Sequence, residues 1–183
     1  MLLDVQSLSV NYRTERGLVR ALNGVNFSVD EKESIALVGE SGSGKSTLGI
    51  SIVRLLPANA SYSGGDILLS GKSVLSMNDR EVRAIRGRMV FMVFQDPLNS
   101  LNPVKKVGDQ ILEALRLKGM REGEVDQQEV VQAFKDVRIP DPDVIMQRYP
   151  HELSGGQIQR VIIAMGLLMK PKLLIGMNEA VDR

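Results

Sequence analysis

The chain has 183 residues, enough for one domain with a substantial core and too few for two large ones. Its 23 basic and 22 acidic residues leave a net charge of +1, which suggests neither an acidic nor a basic partner, and 43% hydrophobic with 25% charged residues is a globular composition. The absence of cysteine excludes disulfides, cysteine-ligated zinc and a thiol nucleophile, and 4% aromatic residues without tryptophan argue against a stacking platform for single-stranded nucleic acid.

The longest apolar run, Val161 to Met169, is too short for a membrane span, and Met1-Leu2-Leu3-Asp4 carries no signal-peptide pattern, so a soluble cytoplasmic chain is expected. In chain order, Leu3 to Val10 reads as a strand, and Val19 to Val29 contains a second one around Val25 to Val29. After the polar turn Glu31-Lys32-Glu33, Ser34-Ile35-Ala36-Leu37-Val38 is an apolar run of strand type. Leu48 to Leu56 reads as a buried helix stopped by Pro57. Ser63-Gly64-Gly65 reads as a turn, Asp66 to Ser70 as a strand, Gly71-Lys72 as a second turn, and Asp79 to Arg86 as a short helix capped by Asn78 or Asp79. Met89 to Phe94 is a continuous apolar run of the kind buried on both faces of a parallel sheet. Val107 to Lys118 and Val125 to Val137 have helical spacing, and Pro140-Asp141-Pro142 closes that region. Ser154 to Met169 reads as a buried helix and Leu173 to Met177 as a strand.

Chemistry concentrates in Gly39-Glu40-Ser41-Gly42-Ser43-Gly44-Lys45-Ser46-Thr47, which fits G-x-x-x-x-G-K-[ST] between a strand and a helix. Glycines let the main chain curl around phosphate oxygens, and the helix N-terminus favours an anion. Lys45 would reach the β- and γ-phosphates, and Ser46 would help hold Mg²⁺. A glycine-rich turn without a ligand is the plain alternative; agreement of the fixed positions with both flanking elements favours a nucleoside triphosphate site. A second stretch, Leu153-Ser154-Gly155-Gly156-Gln157, places a hydroxyl and two small residues at a helix start. This is either an ordinary cap or a second anion site.

Together these strings resemble the ATP-binding-cassette (ABC) ATPases, whose signature Ser154 to Gln157 matches. The resemblance covers the whole chain. It implies an α/β fold with a RecA-like P-loop core, an antiparallel β-layer and a helical subdomain, in one nucleotide-binding domain: 1–95 as β-layer and core, 96–153 as helical subdomain, 154–183 as signature helix and last core strand. It also implies ATP and Mg²⁺ as cofactors. Gln95 matches the glutamine that touches Mg²⁺ and the attacking water, and Tyr12 matches the aromatic that stacks on adenine. Ser154, Gly155, Gly156 and Gln157 would serve the γ-phosphate of ATP held by a second subunit. Phe94-Gln95-Asp96-Pro97-Leu98-Asn99-Ser100-Leu101-Asn102-Pro103-Val104 and Tyr149-Pro150-His151-Glu152 are similar to oligopeptide and dipeptide importers, a pattern that nickel importers share. The implied partners are a second ATP-binding subunit, identical or different, and membrane-spanning permease subunits, with no nucleic acid. The implied location is peripheral, on the inner face of the cell membrane.

The resemblance breaks near the C-terminus. The family's four apolar residues, Asp, Glu would put Asp at Met177 and Glu at Asn178; one inserted residue moves them to Asn178 and Glu179, and neither reading supplies the Mg²⁺-binding Asp. The single histidine, His151, cannot be the family's switch histidine, which lies well downstream. The chain therefore reads as a truncated member, C-terminally incomplete, of doubtful hydrolytic activity. The competing readings are a non-catalytic nucleotide-binding remnant and a soluble ABC ATPase without a transport role.

Overall fold

A computed structural model describes residues 1–94, 96, 100–119 and 127–177. The chain divides into two compact units, Met1–Arg86 and Gly87–Asn178, and Glu179–Arg183 lies outside the described residues.

The first unit is built on an antiparallel sheet in the order β2-β1-β3-β4, with β1 Leu3–Thr14, β2 Gly17–Val29, β3 Ala60–Leu69 and β4 Lys72–Ser73. Leu3, Val5, Leu8 and Val10 on β1, with Ile67 and Leu69 on β3, are all but completely buried and form its core. The sheet runs further than sequence alone indicates, because pairing carries Asn11 to Thr14 and Ala60 to Gly65 into the ladder. Ser63-Gly64-Gly65 is thus not a turn. It belongs to a bulged stretch of β3, where the register shifts between Gln6 and Ser9 on the facing strand. Gly65 has φ +82°, and a Cβ there would lie 2.3 Å from the Gln6 carbonyl oxygen, so the bulge needs a residue without a side chain.

Two helices complete this unit. α1, Lys45–Ile52, starts earlier and ends earlier than the expected Leu48 to Leu56. Its end is a Schellman turn: Leu55 N–H bonds the Ile50 carbonyl, Arg54 N–H bonds Ser51, and Arg54 takes φ +51°. The helix therefore stops before Pro57 is reached. α2, Asp79–Ile85, has the expected Asn78 cap, whose side chain accepts from the amides of Arg80 and Glu81 while Glu81 returns a bond to the Asn78 amide. The apolar run Ser34 to Val38, expected as a strand, pairs with none of the described residues. Ile35, Leu37 and Val38 are 45%, 50% and 90% exposed. Apolar composition gives propensity only; a strand exists through its ladder.

The second unit pairs β5, Val90–Val93, in parallel with β6, Leu173–Gly176, and packs them with α3 Val107–Lys118, α4 Gln127–Asp136, α5 Pro142–Gln147 and α6 Gly155–Met169. Ile111 and Leu115 of α3, Phe134 of α4, and Ile158 and Val161 of α6 make a fully buried centre. Pro140-Asp141-Pro142 ends one helical stretch but also opens α5. Pro142 occupies its first turn, where a ring-fixed φ suits the helix and a missing N–H costs nothing.

Candidate functional site

The loop Gly39 to Lys45 is closed by its own lysine. Lys45 Nζ donates to the carbonyl oxygens of Gly39 and Glu40, both at 2.6 Å, and to Ser43 Oγ at 3.3 Å. Three ammonium donors thus gather the loop around one positive charge, and the longest of the three bonds is the easiest to exchange for a phosphate oxygen. Gly44 precedes the helix at φ +94°. A Cβ on it would stand 2.7 Å from the Ala21 carbonyl oxygen and 2.9 Å from Leu22 Cδ2. This position needs glycine for both its backbone angle and its space.

α1 begins with Gly44 as N-cap, no side-chain cap and no acidic residue in its first turn. Its first amides are left for solvent or an anion, on the positive end of the helix dipole. Ser46 is exposed and Thr47 half-buried. Tyr12, from β1, brings its hydroxyl to 3.3 Å from Thr47 Oγ1, so two residues 35 apart in sequence meet at this helix start. The fold therefore gathers Tyr12, Gly39, Glu40, Ser43, Lys45 and Thr47 in one place; Ser41 and Gly42 complete the exposed loop.

The far end of α1 is held by residues that sequence reasoning passed over. Tyr62 Oη donates to the Ser51 carbonyl at 2.9 Å, and Arg86 donates to the carbonyls of Val53 (2.9 Å) and Arg54 (2.7 Å). Arg54 itself donates to the Met77 carbonyl. Burial pushes the Tyr62 hydroxyl up to about 12, against the lowering influence of Arg54, the Ser51 bond and Arg86. It stays a neutral donor at any physiological pH.

The signature residues lie in the second unit. Ser154 caps α6: its Oγ accepts the Gln157 amide at 3.3 Å, and Gln157 Oε1 accepts the Ser154 amide at 2.9 Å. The cap leaves the Ser154 hydroxyl proton free to donate. Among the described residues nothing lies within 4 Å of where a Cβ on Gly155 or Gly156 would stand, so none of them demands glycine there. Gln95 lies outside the described residues, as do Asn178, Glu179 and Asp182. Met177 follows β6, and its amide bonds the Val93 carbonyl at 2.9 Å, carrying a thioether to the end of the parallel pair. Among the described residues there is no group of three or more His, Cys, Asp or Glu that could hold a metal ion.

The family model described as "ABC transporter" matches residues 22–176. This chain belongs to that family. It is 43% identical over 176 residues to the "Probable peptide ABC transporter ATP-binding protein y4tR" of Sinorhizobium fredii, covering 96% of this chain and 52% of that one. It is also 43% identical over 175 residues to the "Oligopeptide transport ATP-binding protein OppD" of Bacillus subtilis, covering 95% and 49%. The chain spans about half the length of the curated relatives it matches. Among solved structures it resembles the dimeric post-hydrolysis state of the ATP-binding cassette MJ0796 bound to ADP and Pi, with TM-score 0.83, 26% identity, and 96% and 73% of the two chains covered. It also resembles cbiO1 of Clostridium perfringens, part of the cbiONQ transporter complex, with TM-score 0.73, 32% identity, and 96% and 64% covered. The fold is therefore the α/β P-loop fold of the ABC cassettes, and the family is the one that the phosphate loop and signature suggest. Among the described residues no helix is long and apolar enough to cross a membrane.

Proposed function

We propose that this chain is the ATP-binding part of a subunit that energises the import of peptides. The carrying observation is the lysine-closed loop at the uncapped start of α1, a cationic cradle with free amides of the kind that receives a triphosphate. The peptide assignment is supported by the relatives, which are named as peptide and oligopeptide transport ATP-binding proteins. Tyr12 offers its ring to adenine, Gly39 to Thr47 wrap the phosphates, and Ser46 with Gln95 meets Mg²⁺. Ser154 to Gln157 reach the nucleotide of a second ATP-binding subunit, and permease subunits place the assembly on the inner face of the membrane. The division into 1–95, 96–153 and 154–183 within one nucleotide-binding domain belongs to the same proposal.

Calorimetry tests the core of it. Mg·ATP should bind the wild-type chain, and Lys45→Ala should weaken binding at least tenfold, about 1.4 kcal/mol, because a charge-assisted contact is lost. Equal affinities would sink the assignment. One feature of the sequence favours a second reading, a nucleotide-binding chain that does not hydrolyse: Met177, or Asn178 with one inserted residue, stands where the resemblance calls for the Mg²⁺-binding aspartate.

A further inference from the structure

Tyr12 and Tyr62 form a pair on one face of the antiparallel sheet. Val10 pairs with Tyr62 and Tyr12 with Ala60, across β1 and β3, so the two-residue period and the cross-strand register put both tyrosines on the same side. Both hydroxyls meet α1, Tyr62 at the Ser51 carbonyl and Tyr12 at Thr47 Oγ1. The first bond is to a main-chain acceptor and holds the helix in place. The second is to a hydroxyl that itself stands in the phosphate loop.

We infer that Tyr12 is a positioning residue for phosphate, acting through Thr47 by its hydroxyl. This rests on the phosphate-loop reading and goes beyond stacking on a base. Thr47 Oγ has one proton and two lone pairs. The phenol is the more acidic of the two hydroxyls, so in the favoured arrangement Tyr12 donates and Thr47 accepts. Among the described residues the Thr47 hydroxyl meets only Tyr12, so its proton can turn to an outside acceptor, and the uncapped first turn of α1 is where an anion would sit. Accepting one bond also polarises the Thr47 O–H and strengthens the bond it donates. Ser51 Oγ donates to the Thr47 carbonyl at 2.6 Å, which fixes the turn that carries this hydroxyl. No proton changes owner; the relay only directs one.

The test uses two ligands, Mg·ATP and Mg·tripolyphosphate, the latter having no base to stack. Tyr12→Phe keeps the aromatic ring and removes the hydroxyl. It should weaken both ligands by a similar factor, about three- to tenfold. Thr47→Val should do the same, adding Tyr12→Phe to it should cost nothing more, and Thr47→Ser should restore the wild-type response. If Tyr12 only stacks, or only supports the fold, Tyr12→Phe leaves both affinities unchanged, and the relay is overturned. Should Thr47→Val fail to fold, tripolyphosphate binding by Tyr12→Phe decides alone. The parent reading fails differently: wild type then binds neither ligand, or Lys45→Ala binds both as tightly as wild type, and the relay falls with it.

Discussion

Tyr62 Oη lies 2.9 Å from the Ser51 carbonyl oxygen, and this one bond ties the sheet to the end of the helix that begins at the phosphate loop. Ser51 is completely buried, so the half-buried phenol satisfies a carbonyl that water does not reach. Arg86 closes the same helix end on the carbonyls of Val53 and Arg54. A loop that must present amides at fixed angles is thus braced from the opposite end of its helix.

This arrangement predicts an alkaline titration. Burial raises the Tyr62 hydroxyl from the ordinary 10.0 to about 12. A folded-state value above the unfolded one means that folding favours the neutral phenol. Its contribution is present in full below the unfolded value and is lost as pH rises through the folded one. Phenolate absorbance should therefore show one of the three tyrosines ionising late, near 12, and Tyr62→Phe should remove that step. A late step that survives the substitution assigns it elsewhere and breaks the account.

A second prediction separates two glycines of the phosphate loop. Gly42 and Gly44 both have positive φ, +79° and +94°, but only Gly44 is crowded, by the Ala21 carbonyl and Leu22. Gly42→Ala should cost backbone strain alone, about 1 kcal/mol. Gly44→Ala should cost more, about 2–4 kcal/mol, because backbone atoms must also move. Chemical denaturation measures both. Equal costs would mean that the close approach of Ala21 to the loop is absent in solution.

What the sequence revealed and what it hid follow from range. Caps are local: of the two candidates Asn78 and Asp79 the structure uses Asn78, and Ser154 caps α6, each closed by a side chain three residues on, Glu81 and Gln157. The phosphate loop is local too, and its lysine closes over Gly39, six residues back. Tyr62 and Arg86 meet their carbonyl partners 11 and 33 residues away, through pairing that no periodicity announces. Gly64-Gly65 reads as a turn because glycines mark turns and bulges alike; only the register with Gln6 and Ser9 distinguishes them. Ser34 to Val38 fails for a related reason, since strand composition does not name a partner strand.

The signature carries a prediction about association. Gly155 and Gly156 leave the start of α6 bare, and Ser154 keeps a free proton there. If this surface serves nucleotide held by another copy, Ser154→Arg should leave ATP binding to the monomer almost intact while abolishing ATP-dependent dimers. Sedimentation with and without Mg·ATP reads the result. Dimers that survive the substitution would show that the surface acts within its own chain or not at all.

The last prediction concerns turnover. Phosphoryl transfer depends on positioning and on neutralising charge at the γ-phosphate, and Mg²⁺ supplies much of that neutralisation. Mg²⁺ takes hard oxygen ligands, whereas a thioether is soft. Met177 is bonded through its amide to Val93 at the end of the parallel pair, and the position where the family resemblance calls for an aspartate is this thioether or, with one inserted residue, the neutral Asn178. Lys45 and Ser46 can still support binding. The chain should therefore bind ATP while releasing phosphate near background, and binding should tolerate Met177→Ala. Steady-state phosphate release from purified protein is the measurement, with Lys45→Ala as the control for a contaminating enzyme. Turnover on the order of 1 per second, lost in that control, would mean that another carboxylate holds the metal. Glu179 and Asp182 would then be the residues to substitute, and loss of turnover in either variant would locate the ligand that Met177 does not provide.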